Sequence, residues 1–261
     1  MNQGRQCLLS VVTICYNAKD YIAETFESVR QQKQQLFEYI VIDGGSNDGT
    51  QEIIKKNQGI IDYWCSESDK GISDALNKGV LKSNGQYIVF LHADDYFVDP
   101  FSTERALLKI LKGKDIIAFD IFFEKEEKRY LGRSRGFNSY TNCKMPFYHP
   151  GVLCKRTLFD KIGLFDTDFK IAMDYDFFLR AYNTGASFSI EKEVITVFRD
   201  TGISSRSDWA SLSERFSEEK KAHYKNSATY FKRAFYFVWW VVYPFYRRVK
   251  YLFEAENERN S

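Results

Sequence analysis

Two adjacent carboxylates, Asp94 and Asp95, end a short apolar run, Gln86-Tyr87-Ile88-Val89-Phe90-Leu91-His92-Ala93. A strand that delivers acids at its C-terminal end places hard oxygen ligands where an open α/β sheet binds its ligand. Mg²⁺ or Mn²⁺ held by one or two carboxylates completes its shell with substrate phosphates, so the pair points to phosphate-bearing chemistry. The same dipeptide also serves as a turn or a helix cap, and its meaning depends on what the chain places beside it.

Two further loops have chemistry-bearing composition. The first is Asp43-Gly44-Gly45-Ser46-Asn47-Asp48-Gly49-Thr50. Its glycines let the backbone approach a ligand, and an acid at a strand end can accept hydrogen bonds from a sugar hydroxyl or a base N–H. No Gly-Lys-Ser/Thr follows, so it is not a Walker A loop, and no GxGxxG opens the first helix, which argues against hydride transfer. The second is Glu67-Ser68-Asp69-Lys70-Gly71-Ile72-Ser73-Asp74-Ala75-Leu76-Asn77-Lys78-Gly79, with carboxylates, a Lys and a Gly at a strand-to-helix turn. Helix N-termini of this kind grip phosphate or sugar, though a solvated capped turn has the same composition.

The elements that must position these loops alternate. Leu8–Cys15 reads as a strand, 20–31 as a helix with Ile22, Phe26 and Val29 on one stripe, Tyr39–Ile42 as a strand, and 50–57 as a helix. A short strand at 62–66, a helix at 71–81 and the strand into Asp94 follow. Such alternation implies right-handed βαβ units and a mostly parallel sheet. Beyond lie a helix at 102–111, a strand at 115–124, a polar, loop-rich stretch from Lys125 to Asn142, and helices at 159–165 and 175–183. Two strands, Ser187–Ile190 and Val194–Phe198, and a polar helix at 208–225 complete the pattern.

Taken in order, Val11-Val12-Thr13-Ile14-Cys15-Tyr16-Asn17, the Asp43–Thr50 loop, Ser66–Gly79 and Phe90-Leu-His-Ala-Asp-Asp95 resemble the inverting nucleotide-sugar glycosyltransferases of family 2. The resemblance covers roughly residues 8–200. It implies the GT-A fold, an α/β, Rossmann-like architecture with a mostly parallel central sheet. It also implies that Tyr16 sits beside the nucleotide base, that Asp43 binds uracil or ribose, and that Asp69 lines the nucleotide pocket. Asp94 and Asp95 fall in the family's metal-binding segment, where an Asp-X-Asp holds Mg²⁺ or Mn²⁺ on the diphosphate. His92 stands here for the usual first acid, which leaves open which of the two acids ligates. In Ala172-Met173-Asp174-Tyr175-Asp176, Asp174 matches the family's general base and Met173 replaces its usual Glu. Asp176 and Arg180, one turn apart, suit a supporting ion pair. His149, in Tyr148-His149-Pro150-Gly151, is a candidate for orienting donor or acceptor, or a packed structural histidine.

A single base on the face opposite the leaving group gives inversion without a covalent intermediate. The resemblance implies transfer from a nucleotide diphosphate sugar, a UDP-sugar first, to a hydroxyl of a glycan, and the interfacial tail at residues 232–253 suggests a lipid-linked glycan in surface polysaccharide or lipopolysaccharide assembly. Two alternatives fit less well. A sugar nucleotidyltransferase wants a glycine-rich loop after the first strand, and Tyr16-Asn17-Ala18-Lys19 has no glycine. A non-catalytic carbohydrate-binding or assembly protein on a degenerate scaffold has no need of acids at 43, 94, 95 and 174.

At 261 residues with 44% hydrophobic content, the chain is long enough for one large domain and an appendage, divided as 6–205 and 206–261. Five cysteines without a CxxC read as reduced thiols, and with three histidines they argue against zinc. The polar start, Met1–Gln6, looks like no leader. From Lys220 onward nine Lys/Arg face three Glu, a balance of +6 that leaves about −4 in the first 219 residues. Within that tail, Ala234-Phe-Tyr-Phe-Val-Trp-Trp-Val-Val-Tyr243 is bounded by Pro244 and flanked by basic pairs. It is too short to span a bilayer but suits the headgroup interface. The expectation is a protein peripheral to the cytoplasmic face of a membrane through residues 232–253, with a core helix or dimer interface as the competing use. Nucleic acid is excluded as a partner by the acidic body, and a homo-oligomer stays open.

Overall fold

The computed structural model describes residues 7–126, 128–199 and 208–259. Strand β1 (Leu9–Cys15) is flanked by β2 (Phe37–Asp43) and β4 (Tyr87–Phe90), and β3 (Tyr63–Ser66) lies outside β2, all parallel. Every residue of β1 is buried, as expected for a parallel strand covered on both faces. Side-chain alternation divides the core. Val12, Ile14, Ile40, Ile42, Ile88 and Phe90 enter one apolar cluster, while Leu9, Val11, Tyr39, Val41, Tyr87 and Val89 enter another.

Helices cover both faces. On the second cluster's side are α1 (Ile22–Arg30), α2 (Thr50–Lys56) and α4 (Ser102–Ile110). On the first are α3 (Ile72–Lys82), α5 (Arg156–Ile162) and α6 (Met173–Asn183). The sheet order is β3-β2-β1-β4-β8-β6-β9-β5, with β5 (Tyr96–Phe97), β6 (Ile116–Lys125), β8 (Val152–Lys155) and β9 (Phe188–Arg199) adding mixed pairings beyond the parallel half. Because β2 and β4 lie on opposite sides of β1, the chain reverses direction across the sheet there. The crevice at these carboxyl ends is the topological switch point where such sheets bind ligands. The fold is the α/β architecture implied by the family resemblance, followed by α7 (Trp209–Lys225) and α8 (Tyr230–Arg259).

Several local expectations need correction. The stretch from Lys125 is not all loop: β7 (Lys128–Gly132) pairs antiparallel with β6. It is a short, polar, largely exposed edge strand, so it lacks the alternation that marks a half-buried one. Residues 188–199 form one strand, whose register shifts beside Phe119 and Asp120 hide its continuity. Helix α5 begins three residues earlier than expected and stops at Gly163, which has φ +84°. Pro244, which bounds the aromatic run, lies inside α8. Its missing N–H removes one main-chain bond, and packing of the helix on α7 through Leu212, Phe216, Tyr236 and Trp240 carries it past the gap.

Candidate active site

Beyond β4 the chain stays in register with β1: Leu91 N donates to Val12 O at 2.9 Å and Ala93 N to Ile14 O at 3.2 Å. This delivers Asp94 and Asp95 over the end of β1. The Thr25 hydroxyl of α1 lies 2.8 and 2.7 Å from the carbonyl oxygens of Ala93 and Asp95, pinning the turn from below.

One ligand atom each from His92, Asp94 and Asp95 lies within 4.8 Å of the others. Asp95 is fully buried; its Oδ1 accepts from Arg199 N at 3.3 Å, and its Oδ2 has no hydrogen-bond partner among the described residues. Burial first, and then the charge of Asp94, holds its carboxyl well above the usual range. The Nε2 atoms of His92 and His149 are also buried without partners. Burial lowers the pKa of His92, and burial followed by the nearby His92 pushes His149 down to about 3. Buried polar atoms without partners are costly, and here two carboxylates and a neutral imidazole converge. That donor set fits a divalent cation. Of the two acids, Asp94 lines the adjacent cavity and Asp95 stands behind it.

The cavity, about 410 Å³, is bounded by His92, Asp94, His149 and Asp174, with Lys170, Arg215 and Glu219 beside an apolar wall that includes Met145 and Tyr148. Asp174 occupies the first turn of α6, its Oδ1 accepting from Tyr175 N at 2.7 Å. Burial raises its pKa to about 6, the Tyr175 amide opposes the rise, and the charges of Glu219 and Glu218 add to it. The anticipated pair is present, with Arg180 Nε 2.9 Å from Asp176 Oδ2. Arg180 also donates to Leu164 O at 2.8 Å, tying α6 to the loop after α5. His149 packs against Phe90 and Phe165 and borders the cavity, so it is a packed histidine at the cavity wall.

The expected nucleotide contacts gather elsewhere. Tyr16, Gly44 and Asp69 are mutual neighbours, and a Cβ on Gly44 would meet Asp69 Oδ2 at 2.3 Å and Tyr16 Cδ2 at 3.4 Å. Glycine is required there for the acid to approach. Tyr16 is 64% exposed. The backbone amides of Asn17 and Ala18 donate to Ser46 Oγ and Thr50 Oγ1, each at 2.8 Å, so the loops after β1 and β2 are stitched together.

Asp43 departs from expectation. It is fully buried, its Oδ2 accepts from Ser46 N at 3.0 Å and Ser66 Oγ at 2.5 Å, and its Oδ1 accepts from the Ser46 hydroxyl and from Cys15 Sγ at 3.5 Å. A carboxylate offers about four lone-pair sites, and protein donors take them. Asp43 therefore braces the loop and is not presented to a base or ribose in this structure. Asp43 ends β2 and Asp94 lies in the turn beyond β4, on opposite sides of β1, with Tyr16, Asp43 and Asp69 outside the cavity that Asp94 and Asp174 share.

Sequence reasoning missed the contribution of α7. The Glu218 carboxylate accepts from the amides of Lys170, Ile171 and Ala172 at 2.9, 2.7 and 2.8 Å, capping the turn that leads into Asp174. Farther along, Trp240 Nε1 of α8 is 2.9 Å from His223 Nδ1, and His223 Nε2 is 2.7 Å from Tyr175 Oη, which lies 3.0 Å from Thr141 O. Indole can only donate, so His223 Nδ1 accepts and the ring's proton is on Nε2, donated to Tyr175, which in turn donates to Thr141. Burial, with Lys144 second, pushes His223 down to about 3 and keeps it neutral. In sequence, Glu218 looks like any acid on a solvated helix.

Comparison with known proteins gives the family and the fold. The chain is 34% identical over 203 residues to an uncharacterized glycosyltransferase of Mycobacterium tuberculosis, covering 76% of this chain and 77% of that protein. A PGL/p-HBAD biosynthesis glycosyltransferase of Mycobacterium bovis is 24% identical over 219 residues, 82% of each chain. Among solved structures, S. aureus TarS 1–349 in complex with UDP-GlcNAc superimposes with a TM-score of 0.62 at 19% identity, covering 82% of this chain and 64% of that one. The mannosyltransferase PcManGT from Pyrobaculum calidifontis, in complex with GDP-Man and Mn²⁺, gives 0.61 at 17% identity, covering 83% and 63%. This chain thus spans less than two thirds of either solved chain, and at that identity the likeness is one of fold. Residues 10–178 match the family model for glycosyl transferase family 2, so the chain belongs to the family 2 glycosyltransferases.

Proposed function

We propose that the protein transfers a sugar, with inversion, from a nucleotide diphosphate sugar, a UDP-sugar first, to a hydroxyl of a glycan or polyprenyl-diphosphate-linked glycan. The observation that carries this reading is the shared cavity: Asp174, with its pKa raised to about 6, lines the same 410 Å³ space as Asp94 of the cation-fitting cluster. Asp94 and His92, with Asp95 behind them, are the residues that would hold Mg²⁺ or Mn²⁺, which when bound supplies Lewis-acid stabilisation of the leaving diphosphate. Asp174 would take the proton of the acceptor hydroxyl as the glycosidic bond forms. A carboxylate of pKa near 6 is ionised at neutral pH yet basic enough for that transfer. With Asp174 as base on the face opposite the leaving group and no covalent intermediate, the anomeric centre inverts. Tyr16 and Asp69 are assigned to the nucleotide, and His149 to orientation of donor or acceptor. Lys170 and Arg215 on the cavity wall suit an acceptor bearing phosphate.

The complexes of TarS with UDP-GlcNAc and of PcManGT with GDP-Man and Mn²⁺ support the donor class and the metal. A place in surface polysaccharide or lipopolysaccharide assembly, at the cytoplasmic face, is the setting we assign. The test is a panel of nucleotide sugars, each with and without Mn²⁺ or Mg²⁺, read by thermal stabilisation and by release of nucleoside diphosphate. A metal-dependent rise in melting temperature with one donor is expected. No rise with any donor would overturn the reading.

A further inference from the structure

Helix α8 (Tyr230–Arg259) is two-faced. Its inner side, Tyr236, Trp240 and Tyr243, packs on α7. Its outer side presents Phe231, Val238, Val242, Phe245, Val249 and Leu252, with Phe231 85% and Phe245 71% exposed. At about 100° per residue these side chains and their apolar neighbours cover roughly half the helix circumference over about 30 Å. Soluble surfaces rarely leave so continuous an apolar strip uncovered.

Charge decides what covers it. Between Tyr230 and Phe253 the chain carries five Lys/Arg and no Asp or Glu; the acids Glu254, Glu256 and Glu258 come only past the strip. On the helical wheel Lys232 and Lys250 border one edge of the apolar face, and Arg233 and Arg248 the other. A second copy packed on this face would bring two stretches of net charge +5 against each other, and the face is wider than a two-helix seam. Anionic headgroups meet basic rims, and an acyl boundary accepts the rings between them. No helix among the described residues is long and apolar enough to cross a membrane.

We infer that α8 lies in the plane of an anionic bilayer surface, its Phe231–Phe253 outer face immersed and its basic rims at the headgroups. This assignment is independent of the reaction proposed above, and it would bring the cavity close to the lipid: Tyr243 of α8 lies under Lys144, which pairs at 3.0 Å with Glu219 of the cavity wall.

The test is sedimentation of the full chain with phosphatidylcholine vesicles, with and without phosphatidylglycerol. We expect binding to the mixed vesicles that weakens with salt. The double variant V238E/F245E, altered only at outward positions, should bind at least about tenfold more weakly with an unchanged melting temperature. The rim variant K232E/R233E should lose the preference for phosphatidylglycerol. Should V238E/F245E fold poorly, the rim variant alone decides. A chain that stays in the supernatant with both vesicle types overturns the proposal, as does vesicle binding that neither variant changes. A dimer in solution that V238E/F245E converts to monomer, with no effect on sedimentation, would assign the face to a second copy instead.

Discussion

Replacing Asp174 by Asn separates two effects that share one cause. Folding raises the carboxyl from 3.8 to about 6, about two pH units, each equivalent to about 1.4 kcal/mol. The ceiling on the energetic cost of ionised Asp174 is therefore about 3 kcal/mol, and solvent reaching it through the cavity reduces this to roughly 1–2 kcal/mol. The sign follows from linkage. Below about pH 4 the acid is protonated in both folded and unfolded chains and costs nothing. As pH rises towards 6 the unfolded chain releases its proton while the folded chain keeps it, and stability falls until the folded form ionises too. Asn cannot titrate and can still accept from the Tyr175 amide. The variant should thus be more stable than the parent at pH 8, by a few degrees in Tm, and should lose that advantage near pH 4. Turnover should fall by about 10²–10⁴ as the base is lost, with donor binding retained, and the parent's rate should fall as pH drops below about 6. Thermal melts at both pH values and a nucleoside-diphosphate release assay read all of this. Normal turnover would refute the assignment of the base; a stability gain equal at pH 4 and 8, or a loss at pH 8, would refute the burial argument.

Glu218→Ala, which strips the cap from three amides, should cost about 2–4 kcal/mol in a denaturant melt and lower kcat more than it raises donor KM, with Glu218→Gln recovering part of both. Asp94→Asn should abolish the metal-dependent part of donor stabilisation, measured by titrating Mn²⁺ against a fixed donor concentration. Gly44→Ala places a Cβ where Asp69 Oδ2 now sits; donor KM should rise several-fold in steady-state kinetics while the pH profile keeps its midpoint.

Much of the fold could be read from periodicity. Leu9–Cys15 is apolar without interruption because both its faces are covered, and the strand–helix alternation around it leaves few topologies open. The outer half of the sheet was harder to read: Lys128–Gly132 pairs only along one edge and has no reason to alternate, and the irregularity at Phe119–Asp120 makes one strand look like two. Pro244 marks a stop in local terms, and tertiary packing overrode it. What was legible of the site is a juxtaposition: Asp94 and Asp174 line one cavity, and Asp95 stands beside Asp94. The site was not legible where a role depends on a partner distant in sequence. Asp43 is occupied by Ser46 and Ser66, and Glu218 reaches amides 46 to 48 residues away.

The line of donated protons from Trp240 through His223 and Tyr175 to Thr141 runs from the last helix to the acid-bearing one. Clipping the chain ahead of Trp240 would remove both the donor to His223 Nδ1 and the ring packed on it, and would loosen the hold on the helix that carries Asp174. The C-terminal segment is therefore not a detachable handle. Its inward aromatic residues belong to the packing that seats the Asp174-bearing helix, and its outward positions do not.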